Sequence, residues 1–182
     1  MKFDIIFMSS VFHELLSYLS RNEAANTMNV VLSHLSENGK LIIRDWCAPE
    51  DKTLARVEVI PKKIEEVKQW IKELSEHAIF LSEVVVKGNT IQASVDDLYN
   101  ILLHVTWGQQ SILRESNESY LVDSASIKQF ILNGNQNIKL VSQQAYYQSD
   151  YTNYLSNYFK DVEIFVKQYH ICTKQVLVLQ KA

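Results

Sequence analysis

The sequence predicts an α/β fold that opens with a β-α-β unit, and three observations carry the expectation. The run Phe3 to Met8, FDIIFM, is almost continuously apolar and rich in β-formers, the signature of a parallel strand buried on both faces. The pattern turns helical from Val11 to Ser20, and Ala24, Met28, Val31, Leu32 and Leu35 then recur at three- and four-residue spacing. Lys40 to Trp46, KLIIRDW, reads as a second buried strand. Between them Ser36-Glu37-Asn38-Gly39 stops the helix, with Gly39 as the expected left-handed cap. Two buried strands joined by a helix imply a right-handed crossover.

Further along, Ile64, Val67, Ile71 and Leu74 mark a helix that begins after Pro61 and keeps its charges on the opposite face. Glu83 to Ala93 reads as a short strand pair around Lys87-Gly88-Asn89. Asp96 is a candidate cap for a helix through Leu98, Ile101, Leu102 and Val105 that ends at Trp107-Gly108, and Ser124 for one through Ile127, Phe130 and Ile131. The last third offers strands at Ile138 to Tyr146 and Tyr169 to Leu179. With 182 residues, one domain with one core is the expectation. Its parts are a β-α-β core over 1–50, a helical region over 51–135 and a terminal strand pair over 136–182.

Composition excludes several classes. Glycine is about 2% of the chain against a usual ~7%, and Gly39, Gly88, Gly108 and Gly134 lie at least twenty positions apart. Glycine-rich phosphate loops need several glycines inside one turn, so none is present. Lys and Arg number 18 and Asp and Glu 21, a net charge of -3 without a basic cluster, which gives no support to nucleic-acid binding. No apolar run reaches ~18 residues and no signal sequence is evident, so neither a membrane span nor export is expected. Cys47 and Cys172 form no C-x-x-C, which fits a reducing cytoplasm.

Ligands of open α/β sheets bind outside the carboxyl ends of the strands. That places Ser9, Ser10, His13 and Glu14, after the first strand, on the same edge as Arg44-Asp45, which ends the second. Ser9 and Ser10 read equally as helix caps and His13 and Glu14 as first-turn polar residues. The five histidines show no H-x-x-H or H-x-x-x-H spacing, so no metal site is expected. His170 and Cys172 would share one face of a strand. Tyr146, Tyr147, Tyr151, Tyr154 and Tyr158, beside Gln148 and Asp150, suit a pocket wall or an exposed tyrosine-rich loop, and Trp107 is similar.

FDIIFMSSVFHEL followed by a helix and LSENGKLIIRDW resembles the fourth through fifth strands of class I S-adenosylmethionine-dependent methyltransferases. There an acidic residue, apolar residues, a small-residue loop and a His-Glu or similar pair precede L-x-P-G-G-x-L-I-I-x-D. Asp4, Ser9, Ser10, His13, Glu14, Gly39 and Asp45 fall on that pattern. Downstream, Thr106-Trp107-Gly108-Gln109-Gln110-Ser111 and Tyr146-Tyr147-Gln148-Ser149-Asp150-Tyr151 resemble the T-W-G-E-E-S and Y-L-Q-x-G-Y of a bacterial subgroup. The similarity spans nearly the whole chain.

The resemblance implies a partial Rossmann-like sheet, family order 4-5-7-6 with the final strand antiparallel and helices on both faces. It implies methyl transfer from S-adenosylmethionine to a small-molecule acceptor. Ser9, Ser10 and Glu14 would lie at the cofactor, His13 and Asp45 at the reacting atoms, and Trp107, Tyr146, Gln148 and Tyr151 at the acceptor. The family's front half, with its glycine-rich loop and acidic ribose partner, has no counterpart here, so the chain alone is expected to bind the cofactor weakly or not at all. Two glycines of the pattern are replaced (Asn38, Asp150) and two glutamates read Gln109 and Gln110. The alternative is a non-catalytic remnant or interaction module that pairs with another chain. Either way the strand 3–8 is expected at an exposed sheet edge, available to an N-terminal half or to a second copy.

Overall fold

A computed structural model describes residues 1–77, 79–106, 117–120, 122, 124–132 and 137–182. In chain order its elements begin with β1 (Phe3–Ser9), α1 (Phe12–Tyr18), α2 (Arg21–Ser33), β2 (Leu35–Trp46) and β3 (Leu54–Val59). A 3-10 turn (Pro61–Lys63) then leads into α3 (Ile64–Glu76), followed by β4 (Val85–Lys87), β5 (Thr90–Ser94) and α4 (Val95–Thr106). The remainder is α5 (Ser124–Leu132), β6 (Ile138–Tyr146), α6 (Asp150–Leu155), β7 (Phe159–Lys160), α7 (Val162–Gln168) and β8 (Lys174–Lys181). The fold is α/β, with two four-stranded sheets instead of one. They belong to two compact units: Met1–Cys47, Val122–Tyr146 and Thr173–Ala182 form the first, Ala48–Leu121 and Tyr147–Cys172 the second.

In the first unit β1 and β2 pair in parallel, Ile6 opposite Leu41 and Met8 opposite Ile43. The helical stretch between them is two helices. Leu19 and Ser20 are extended, and Ser20 restarts the chain as α2 through a capping box in which its N–H donates to the Glu23 carboxylate at 2.9 Å. Gly39 is not the left-handed cap. Asn38 takes the positive φ of 62°, and Gly39 lies inside β2, where a Cβ would meet the Ser36 carbonyl oxygen at 2.9 Å and that of Phe3 at 3.0 Å. Only glycine permits that approach.

The sheet runs β1-β2-β8-β6, with β8 antiparallel to both neighbours. Phe12, Met28, Leu32, Ile127 and Ile131, from α1, α2 and α5, join Leu41, Ile43, Leu177 and Leu179 in one core, with Ile6 and Met8 packed against it. Each fully buried aliphatic side chain there contributes roughly 1.5–3 kcal/mol. The three helices described in this unit therefore cover the same face, and among the described residues of the unit no second helical layer covers the other. On the other face Ile5 and Phe7 are 63% and 59% exposed. β1 is an edge strand: among the described residues it pairs with β2 alone. Ser10 N–H donates to the Arg44 carbonyl, so Ile6 and Met8 turn their backbone groups to β2. Those of Ile5 and Phe7 face the free edge.

The second unit holds the antiparallel sheet β4-β5-β3-β7, so the strand order of the chain differs from the single array expected. Its pair β4–β5 falls where a short strand pair is expected over 83–93, whereas β3 lies in a stretch where the sequence predicts no strand. LARVEV of β3 alternates exposed and buried at every residue, a period-two signal passed over because charges surround it. Ser94, and not Asp96, caps α4: its hydroxyl accepts Asp97 N–H at 3.1 Å and donates to that carboxylate at 2.7 Å. Asp96 instead accepts Asp51 N–H at 3.0 Å. The last strand begins at Lys174, so His170, at φ 49°, and Cys172 precede it and share no strand face.

Candidate functional site

The site is built where β1 and β2 end together in the first unit. β1 stops at Ser9, Ser10 turns the chain with a left-handed φ of 53°, and α1 starts at Phe12. Val11 at the N-cap position offers no side-chain cap, nor is one supplied by Ser9 or Ser10. Asp45 of β2 does the capping from across the crossover: Oδ2 accepts Phe12 N–H at 2.7 Å and His13 N–H at 3.2 Å. Oδ1 accepts Trp46 N–H at 2.8 Å and faces His13 Nδ1 at 2.7 Å. A buried carboxylate is tolerated only with such partners.

Asp45 is fully buried. Burial pushes its carboxyl up, but the His13 ring and the N–H groups of Trp46 and His13 outweigh burial and hold it below its ordinary value. His13, also buried, turns its Nδ1 to the carboxylate. Asp45 thus acts on His13 and on α1, with both of its oxygens engaged.

On the other side of β2 and β8 a second polar group assembles. Arg44 Nε donates to the Tyr146 hydroxyl at 3.0 Å, and one of its Nη atoms lies 3.5 Å from Ser9 Oγ. Lys174 is paired with Trp46 on one side and Tyr146 on the other. Its Nζ donates to Ser10 Oγ at 3.3 Å and sits 3.1 Å from the Trp46 ring centroid. At 3% exposure its ammonium is lowered to about 8 by burial, against the raising pull of Asp45 and with Arg44 adding to the shift.

Ser9, Ser10, His13, Asp45 and Tyr146 therefore gather in one unit, while Glu14 is exposed on α1. Gln148 and Tyr151 belong to the second unit, Tyr151 buried within α6. Trp107, with Gly108 to Ser111, lies outside the described residues. Sequence reasoning missed Trp46 and Lys174 as site residues. The signal was a lysine opening the apolar run VLVL, obscured by starting that strand five residues early.

No family model and no curated protein matches the chain. Among the described residues no helix is long and apolar enough to cross a membrane.

Proposed function

We propose that this chain is the back half of a class I S-adenosylmethionine-dependent methyltransferase fold, with methyl transfer to a small-molecule acceptor at the carboxyl ends of β1 and β2. One observation carries the reading: a parallel β1–β2 pair, continued by β8 inserted antiparallel before β6, gathers its polar side chains where both parallel strands end. That is the edge on which open α/β sheets bind ligands, and the order of this first sheet supports reading its strands as the family's 4, 5, 7 and 6, although the chain as a whole divides into two sheets.

S-adenosylmethionine brings an already activated methyl group, which leaves the protein to align the acceptor and remove its proton. The donor set fits the cofactor's amino-acid end: Ser9 and Ser10 hydroxyls and the Glu14 carboxylate are groups that hold a carboxylate and an ammonium. His13 takes the acceptor proton, and Asp45 is its positioning residue. Tyr146 walls the acceptor. With no glycine-rich loop in the chain, the cofactor binds weakly, with a Kd of about 1 mM or above. Calorimetry with S-adenosylmethionine tests this: heat saturating only in that range agrees, and micromolar binding by the chain alone contradicts it.

The second reading, a module that pairs with another chain, is favoured by the free edge of β1 and the apolar face beside it, which carry Ile5 and Phe7 into solvent. The occupant is an N-terminal half or a second copy.

A further inference from the structure

Arg44 and Lys174 are two cations, next to each other at the strand ends, and neither has a carboxylate within ion-pair distance among the described residues. Asp45 is close enough to be felt by Lys174, but its oxygens are occupied by the His13 ring and three backbone N–H groups. Lys174 is almost wholly buried, and of the three donors on its ammonium one has a hydrogen-bond acceptor, the Ser10 hydroxyl, while Trp46 offers only its ring face. Burying an ammonium without a counter-ion is costly. Arg44 keeps a planar fork of N–H groups beyond those turned to Tyr146 and Ser9. The arrangement opens to solvent through half-buried Ser9, Ser10 and Arg44 and through Tyr146.

We propose that Arg44, Lys174 and Tyr146 form an oxyanion subsite, and that the acceptor of the methyl group carries a carboxylate or phosphate that binds there. The subsite stands on β2, β8 and β6, beside the loop assigned to the cofactor, whose Ser9 and Ser10 hydroxyls Arg44 and Lys174 reach. An oxyanion supplies what the three side chains lack: fork-shaped acceptors for the guanidinium, a counter-charge for the ammonium and a partner for the phenolic O–H, since the Tyr146 oxygen is already accepting from Arg44. The anion follows from the side chains alone; only the word acceptor rests on the methyl-transfer reading.

Inorganic phosphate and succinate, each balanced against chloride at constant ionic strength, are titrated into the full chain. The Trp46 indole and Ser10 amide signals are followed by NMR, with Trp46→Phe giving the indole assignment. Saturable shifts at both positions are expected, tighter for the better-fitting anion, and weakened tenfold or more in Lys174→Met and Arg44→Gln but unchanged in Lys40→Met, a surface control. Arg44 is half-buried, so its variant keeps the test valid should the Lys174 variant not fold. Shifts that are linear in salt, or identical in both variants, overturn the proposal. Mutual displacement of phosphate and S-adenosylhomocysteine overturns the acceptor-side placement. Anion binding with no response to S-adenosylhomocysteine up to its solubility limit sinks the methyl-transfer reading and leaves the subsite standing.

Discussion

The two faces of the first sheet are made by the same four strands, yet they have opposite fates. Leu41, Ile43, Leu177 and Leu179 point to α1, α2 and α5 and are fully buried, while Ile5 and Phe7, one residue out of phase on β1, are largely in solvent. Toward the carboxyl ends of β1 and β2 the open face becomes polar, at half-buried Arg44 and at buried Trp46 and Lys174. Apolar character in a strand therefore says that a face is suited to being covered, and the helices available decide whether it is.

The largest effect should separate the faces by stability. Asp45→Ala leaves His13 and three N–H groups without their acceptor on the covered side and is expected to cost about 3–5 kcal/mol. Urea unfolding measures it, and a cost under 1 kcal/mol would break the account of Asp45 as the cap of α1. The carboxylate's depressed pKa adds a pH signature. Its contribution is present above about pH 4, the unfolded value, and is lost as pH falls through the lower folded value.

Ile43→Ala is expected to cost about 2–4 kcal/mol and Phe7→Ala less than 1 kcal/mol, though both replace a large apolar residue in paired strands. Equal costs would mean that the open face is covered after all.

The β-α-β opening, the helix after Pro61 and the strand Ile138–Tyr146 were legible because each has a strong period or a clear cap. FDIIFM was half legible: composition announced a strand, but a run apolar at all but one position has no period to say which side is covered. Gly39 misled because a glycine after a helix is read as a cap, whereas the constraint comes from the Ser36 backbone and from Phe3, thirty-six residues away. The site was legible as far as Ser9, Ser10, His13 and Asp45, which sit at strand ends. Lys174 was not, since its burial depends on two strands distant in sequence.

Lys174→Met sharpens the comparison at the polar end of the open face. Folding lowers the lysine's pKa to about 8, so its burial opposes folding below that pH. The penalty is relieved as pH rises from there toward the ordinary value of about 10.4. The methionine variant should be more stable by about 1–2 kcal/mol at pH 7, with the difference shrinking above pH 8. A loss of stability would make Lys174 a structural residue.

The smallest free-energy effect and the plainest readout concern association. Light scattering should find the chain dimeric or larger, and Ile5→Lys with Phe7→Lys should render it monomeric while shifting stability by less than about 0.5 kcal/mol. A monomeric parent would remove the second copy as the occupant of that edge.

The central claim, a cofactor site at the carboxyl ends of β1 and β2, is tested most directly by NMR titration of the labelled chain with S-adenosylhomocysteine. The account predicts weak binding, near 1 mM, with shifts concentrated in the amides of Ser9 to Glu14 and Arg44 to Trp46. Shifts confined to the second unit, or none at the solubility limit, would contradict it.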